Sequence, residues 1–350
     1  MPSRRIVPLV VSLALVVSAC SGGSSGGSGG GPSPSEAAGG SVGPTASSPT
    51  ALVVGLGYIP SIQFAPFYLA QQAGYYRDAG LSVTFQNQID PNLITLVGQG
   101  SIDLGLADGT SVVPAVSQGI PIKYLATVYG TFPDIVFAKQ SSGITGAADL
   151  KGKRIGTPGK YGSGWVMLQA LLGSANLTPS DVTIVEYPDF GQGAALQQGQ
   201  IDAATGFTNN EPVQVQLAGI PVTVLHVDQV IALPGPGFIA GTTALATKLP
   251  AIKAFVAATL RAMRDIEADP TKGLDASIAA VPDLGQQRAT QQAILEATVA
   301  TWAAPGKDVS SYGVIDTAGW SATIQYLTTL GMVAKPVTLS DVIQDIGAGS

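Results

Sequence analysis

The chain has 350 residues, 45% of them apolar and only 11% charged, with a net charge of −6. Such a length supports two sizeable cores, and the apolar content excludes a disordered regulator. The acidic balance argues against a nucleic-acid partner, which needs clustered Lys and Arg. A single cysteine, Cys20, and a single histidine, His226, exclude a disulfide framework, a Cys-based zinc site and two-His metal ligation, so neither a metal nor a cofactor is expected.

The N-terminus reads as an address. Arg4 and Arg5 precede an apolar run from Ile6 to Val17, about a dozen residues where a spanning helix needs ~20. The run ends in Val17-Ser18-Ala19-Cys20, similar to a bacterial lipoprotein signal box. Residues 1–19 are therefore expected to be a signal peptide and Cys20 the lipidated first residue, anchored by two or three acyl chains because one binds only marginally. Residues 20–50, rich in Gly, Ser and Pro, read as a flexible tether. At ~5–6 Å × √n its mean reach is ~30 Å, which holds the folded body beside a membrane on the extracytoplasmic side.

Beyond the tether, short apolar runs alternate with amphipathic stretches. Leu52–Gly57, Leu81–Phe85 and Ile102–Ala107 read as strands, Phe67–Ala79 and Asn92–Gln99 as helices. This alternation implies βαβ units and mainly parallel sheet, in which ligands bind beyond the carboxyl ends of strands. Later helices are expected near Ala251–Ala268, Gln286–Ala303 and Thr317–Leu330.

A weak internal duplication divides the body. Gln99-Gly100-Ser101-Ile102-Asp103 leads to Gly119-Ile120-Pro121, and Gln198-Gly199-Gln200-Ile201-Asp202 leads to Gly219-Ile220-Pro221. The expected fold is thus α/β and two-lobed, each lobe a mainly parallel sheet flanked by helices. Lobe one comprises 51–135 plus 240–350, and lobe two 136–239 with the return crossing. Crossings near Tyr129–Ala138 and Val227–Ala240, the second carrying Leu233-Pro234-Gly235-Pro236-Gly237, would form a clamp able to close on a small molecule.

Four loops should face the cleft. The first, Gly57–Pro66, offers Tyr58, Ser61 and Phe64; the second offers Asp108 and Thr110, which are equally good helix N-caps. The third, Gly156–Trp165, is glycine-rich but matches neither the dinucleotide fingerprint nor the P-loop. It supplies Tyr161, Ser163 and Trp165; the last either stacks on a flat ring or fills the first turn of a helix. The fourth supplies Asn209, Asn210 and Glu211, donors and acceptors suited to a ring's ureide or amidine edge, although Asn210 or Glu211 could simply cap a helix. Tyr129 and Phe132, at the first crossing, add stacking walls, and Tyr187-Pro188-Asp189-Phe190 reads as a cleft edge. These loops hold Asp108, Asp134, Asp189 and Glu211 against one cation, Lys160, so a neutral or weakly basic heteroaromatic ring suits them better than an anion.

Gly57–Gly80, GYIPSIQFAPFYLAQQAGYYRDAG, resembles the opening of solute-binding proteins of ABC importers, in the group that includes thiamine-pyrimidine-precursor, riboflavin, alkanesulfonate, taurine and nitrate binders. Asp149-Leu150-Lys151-Gly152-Lys153-Arg154-Ile155-Gly156 resembles that group's entry to the second lobe, and the two Gly-x-Ile-Asp segments also match. The resemblance implies a periplasmic-binding-protein-like fold of type II, a ligand in the interlobe cleft, and delivery by a monomer to a permease and its ATPase. The third and fourth loops are most similar to the vitamin-type members, which implies ring stacking and hydrogen bonding by Tyr58, Tyr161, Trp165, Asn210 and Glu211.

Two rivals follow from the same resemblance. A pyrimidine-precursor synthase branch needs a cleft lysine with His and Cys groups, whereas here Lys160 is the sole candidate, His226 reads as part of a buried strand, Val222–Val227, and Cys20 belongs to the signal box. An enzyme is therefore not expected. An alkanesulfonate, taurine or nitrate binder would need a cleft arginine, and Arg77, Arg154, Arg261 and Arg264 read as solvated.

Overall fold

The computed structural model describes residues 48–87, 92–228, 231 and 233–348. The signal peptide expected at 1–19, the lipidation site Cys20 and the tether up to residue 47 lie outside these residues.

The first half of the body runs β1 (Thr50–Gly55), α1 (Ala65–Gln72), α2 (Tyr75–Asp78), β2 (Leu81–Gln86), α3 (Asn92–Gly98), β3 (Leu104–Ala107), α4 (Gly109–Ser117) and β4 (Ile122–Thr127). The second runs β5 (Asp134–Lys139), β6 (Arg154–Thr157), α5 (Gly162–Ser174), β7 (Thr183–Glu186), α6 (Gln192–Gln197), β8 (Ala203–Phe207), α7 (Glu211–Leu217) and β9 (Val222–His226). The chain then returns through β10 (Gly237–Gly241) to α8 (Thr242–Ala268), α9 (Pro270–Ala280), α10 (Arg288–Trp302), α11 (Thr317–Thr329) and α12 (Leu339–Val342).

Two five-stranded sheets result, ordered β2-β1-β3-β10-β4 and β7-β6-β8-β5-β9. The two orders are the same pattern. In each, the fourth strand is the one just after a crossing, and it runs antiparallel to both neighbours while the pairs around β1 and β6 are parallel. The lobe boundaries expected at 135/136 and 239/240 fall inside β5 and β10, because each crossing strand joins its new sheet at once. The first crossing is 128–133, and the described residues between β9 and β10 are 227–228, 231 and 233–236.

The duplicated Gly-x-Ile-Asp segments have a common structural task. Gly100 and Gly199 end their helices with φ of 76° and 74°, a conformation that L side chains resist. Ile102 and Ile201 are buried, and the aspartates tie the next strand to its neighbour. Asp103 Oδ2 accepts from the Val53 amide at 2.9 Å, and Asp202 Oδ2 from the Arg154 amide at 2.8 Å. The stretch expected as one helix, Phe67–Ala79, is instead α1 and α2, broken at Gly74, whose φ is 79°.

Each sheet is covered on both faces. On β1, Leu52 and Val54 join one core cluster while Val53 packs on another, as the two-residue period requires. The first cluster takes in α1, α8, α9 and α10, with Phe255 of α8 stacked on Tyr76 at 4.9 Å. The other holds Tyr124 and Trp320 at 4.6 Å, where α11 closes over α4. The second sheet likewise separates two clusters, around Leu168 of α5 and around Leu196 of α6.

The crossings lie side by side. The amides of Val128 and Tyr129 both donate to the Pro236 carbonyl, at 3.1 and 2.9 Å. Gly130 and Thr131 donate to the Trp302 and Thr301 carbonyls at the end of α10. A Cβ at Gly130 would stand 2.3 Å from the Ala304 nitrogen, so only glycine passes there.

Candidate functional site

The ends of β1, β3, β6 and β8 open into one cavity, with residues of both lobes on its wall. From the first lobe come Tyr58, Gln63, Phe64 and Asp108, and the first crossing adds Tyr129. The second lobe adds Asp134, Tyr161, Ser163, Phe190, Gln192, Asn210 and Glu211, with Thr157, Thr205 and Phe207 between them. Aromatic rings meet across it: Tyr58 and Phe190 edge to face at 4.8 Å, Tyr129 and Phe207 at 6.4 Å.

Local structure fixes the polar groups. Asp108 caps α4, its Oδ1 accepting from the Thr110 amide and hydroxyl at 2.7 and 2.6 Å. Ser163, in the first turn of α5, donates its hydroxyl to Asp134 Oδ1 at 3.2 Å. Glu211, in the first turn of α7, accepts from the Phe207 amide through Oε2 at 2.9 Å, and Gly206 leaves the room, since a Cβ there would stand 2.8 Å from that oxygen. Asn210 does not cap α7 with its side chain; its Oδ1 accepts from Gln214 Nε2 at 2.8 Å.

Three carboxyl groups share the cavity, and all are harder to ionise than usual. Burial pushes Asp134 well up, the Asp108 charge adds to this, and Glu211 contributes further. Burial raises Asp108 against the hydrogen bonds it receives. Burial takes Glu211 to about 7, opposed by the Phe207 and Glu211 amides. The Tyr58 phenol is raised by burial and then by the Glu211 charge. Among the described residues lining the cavity there is no Lys, Arg, His or Cys.

Of the residues singled out in the sequence, Tyr58, Phe64, Asp108, Tyr129, Tyr161, Ser163, Asn210 and Glu211 line the cavity. Five others do not. Ser61 caps the short helical turn Ile62–Phe64, accepting from the Gln63 amide, and Thr110 is spent on Asp108. Phe132, just past the anchored Gly130-Thr131, turns into the core of the second lobe. Trp165 packs against that same core, because α5 starts at Gly162 and puts Trp165 on its inner face. Asn209 is fully buried and donates through Nδ2 to Thr298 Oγ1 of α10 at 2.8 Å. Lys160 lies outside the lining, 3.9 Å from Glu186. His226 is not in a buried strand as expected: β9 is the edge of its sheet, so the imidazole is only half-buried.

Gln63, Asp134, Gln192 and Phe190 line the cavity without having been singled out as site residues. In the sequence Asp134 shows only as a charge and Phe190 as part of a cleft edge. The glutamines carry no signal in a single chain, since Gln63 sits in the short helical turn Ile62–Phe64 and Gln192 opens α6.

Residues 61–273 match the NMT1/THI5-like family. The chain belongs to that family. It is 30% identical over 344 residues to riboflavin-binding protein RibY of Chloroflexus aurantiacus, an alignment covering 96% of this chain and 95% of RibY. It is also 26% identical over 283 residues to the 4-amino-5-hydroxymethyl-2-methylpyrimidine phosphate synthase of Aspergillus parasiticus, covering 77% and 79% of the two chains. Among solved structures it superposes on the alkanesulfonate-binding protein SsuA of Xanthomonas axonopodis pv. citri, bound to MOPS, with a TM-score of 0.67 at 21% identity, over 85% of this chain and 99% of that one. The fold is therefore that of the periplasmic-type solute-binding proteins, the two-lobed α/β architecture expected from the sequence.

Proposed function

We propose that the protein is the extracytoplasmic solute-binding component of an ABC importer and that it captures a flat heteroaromatic vitamin of the riboflavin type in the interlobe cavity. The observation that carries this reading is the wall itself: aromatic rings from both lobes, with three carboxyl groups and no basic side chain among the described lining residues. Rings bury a flat guest by offset or edge contacts, while the carboxyls and Asn210 accept or donate at its polar edge. Kinship with RibY over nearly the whole chain supports the same ligand class. The test is titration of riboflavin with the purified protein, read by loss of flavin fluorescence and by calorimetry. Saturable one-to-one quenching is expected; heat from an alkanesulfonate but none from riboflavin would overturn the choice.

An anionic ligand would face three carboxyls with no Arg or Lys among the described lining residues. The synthase reading, carried by the Aspergillus relative, is disfavoured because the described lining residues include no lysine or histidine to react. Delivery to a permease and its ATPase, and anchoring through a lipidated Cys20, complete the proposal. Replacing Cys20 by Ser should move the protein from the membrane fraction to the medium.

A further inference from the structure

Among the described residues, six buried side-chain nitrogen or oxygen atoms have no hydrogen-bond partner. Two are indole nitrogens of the core, Trp302 and Trp320, and one is Asn209 Oδ1. The other three, Gln63 Nε2, Asp134 Oδ2 and Gln192 Oε1, all belong to residues of the cavity wall, each more than nine-tenths buried. Native chains leave few buried polar atoms unpaired, and a set gathered at one cavity points to a partner that arrives from outside.

The orientation of two of these atoms is fixed by what their side chains already do. Gln192 Nε2 donates to the Thr205 carbonyl at 3.2 Å, and a carbonyl can only accept, so Oε1 is an acceptor held free. Asp134 Oδ1 is taken by the Ser163 hydroxyl, which leaves Oδ2. Both residues flank Thr205 on the second sheet: a Cβ at Gly164 would stand 3.4 Å from Asp134 Oδ1 and 3.8 Å from Thr205 Oγ1. Gln63 stands on the first lobe.

Resting on the flavin reading above, we propose that Gln63, Asp134 and Gln192 are specificity-determining residues that read the imide edge of the ligand. Gln192 Oε1 accepts the ring N–H, while Gln63 Nε2 and the neutral Asp134 carboxyl donate to the carbonyls beside it. Burial and the charges of Asp108 and Glu211, the ionisable groups that act on Asp134, favour its protonated form. Two donors and one acceptor complement C=O, N–H, C=O; an alkanesulfonate offers acceptors only and would leave Gln192 unpaired.

The experiment compares riboflavin with 3-methylriboflavin, in which the imide N–H is blocked, on the wild-type protein and on Gln192→Leu. The wild type should bind the methylated flavin about tenfold or more weakly, and Gln192→Leu should lose riboflavin affinity until the two flavins differ by less than about threefold. Equal binding of both flavins by the wild type would overturn the proposal while leaving the flavin reading intact. Absence of riboflavin binding by a wild-type protein that still unfolds cooperatively would remove both. The wild-type comparison does not depend on how well the variant folds.

Discussion

The ring of Phe190 meets that of Tyr58 edge to face, 4.8 Å between centroids and 83° between planes, one ring from each lobe. To present it, Phe190 adopts a φ of 61°, left-handed backbone that a bulky L residue resists, closed by its amide donating to the Tyr187 carbonyl at 2.9 Å. Phe190→Ala and Phe190→Gly both remove a contact worth about 0.5–1.5 kcal/mol, so both should weaken flavin binding, by up to about tenfold. Glycine alone also relieves the backbone. In urea, Phe190→Gly should therefore be more stable than Phe190→Ala by about 1 kcal/mol. Equal stabilities would mean that the turn carries no strain.

The buried hydrogen bond from Asn209 to Thr298 ties the loop after β8 to α10. Replacing Thr298 by Val removes the acceptor and leaves a fully buried amide unpaired, a loss of about 1–3 kcal/mol. Urea unfolding of Thr298→Val against the wild type measures it. A change below a few tenths of a kcal/mol would show that the amide finds another partner.

Trp165 packs on the core of the second lobe and away from the cavity. Trp165→Ala should reduce stability by about 2 kcal/mol through lost packing, while riboflavin affinity stays within about twofold. A tenfold loss of affinity at unchanged stability would put its ring on the ligand instead.

Glu211, raised from its ordinary 4.5 to about 7, binds a proton more tightly folded than unfolded. Its contribution to stability is full below pH 4.5 and is lost as pH rises to about 7. Asp108 and Asp134, also raised, slope the same way. Unfolding free energy of the ligand-free protein should therefore decline across this window, and Glu211→Gln should flatten part of the decline. An identical pH profile for the variant would place the titration elsewhere.

The lobe pattern was legible because repeated Gly-x-Ile-Asp segments serve a backbone purpose: a left-handed helix end, a buried strand, and an aspartate bridging two strands through Asp103 or Asp202. Strand ends and helix starts then placed the site loops, and with them Tyr58, Asp108, Ser163 and Glu211. What one chain does not carry is direction within a loop. Asn209 and Asn210 are neighbours, yet one turns toward α10 and the other lines the cavity. Trp165 depended on where α5 begins, and three glycines before it gave no reason to start the helix at Gly162. Gln63 and Gln192 became visible only when their unmatched atoms could be seen against a shared wall.

The first crossing is stitched to the end of α10 by Gly130 and Thr131, and to the second crossing through Pro236. A swing of the second sheet away from the first would load this knot together with the Asn209–Thr298 bond, the other tie between the second lobe and α10. A mutation that loosened the knot would free both straps together, and the protein would lose its joint before it lost either half.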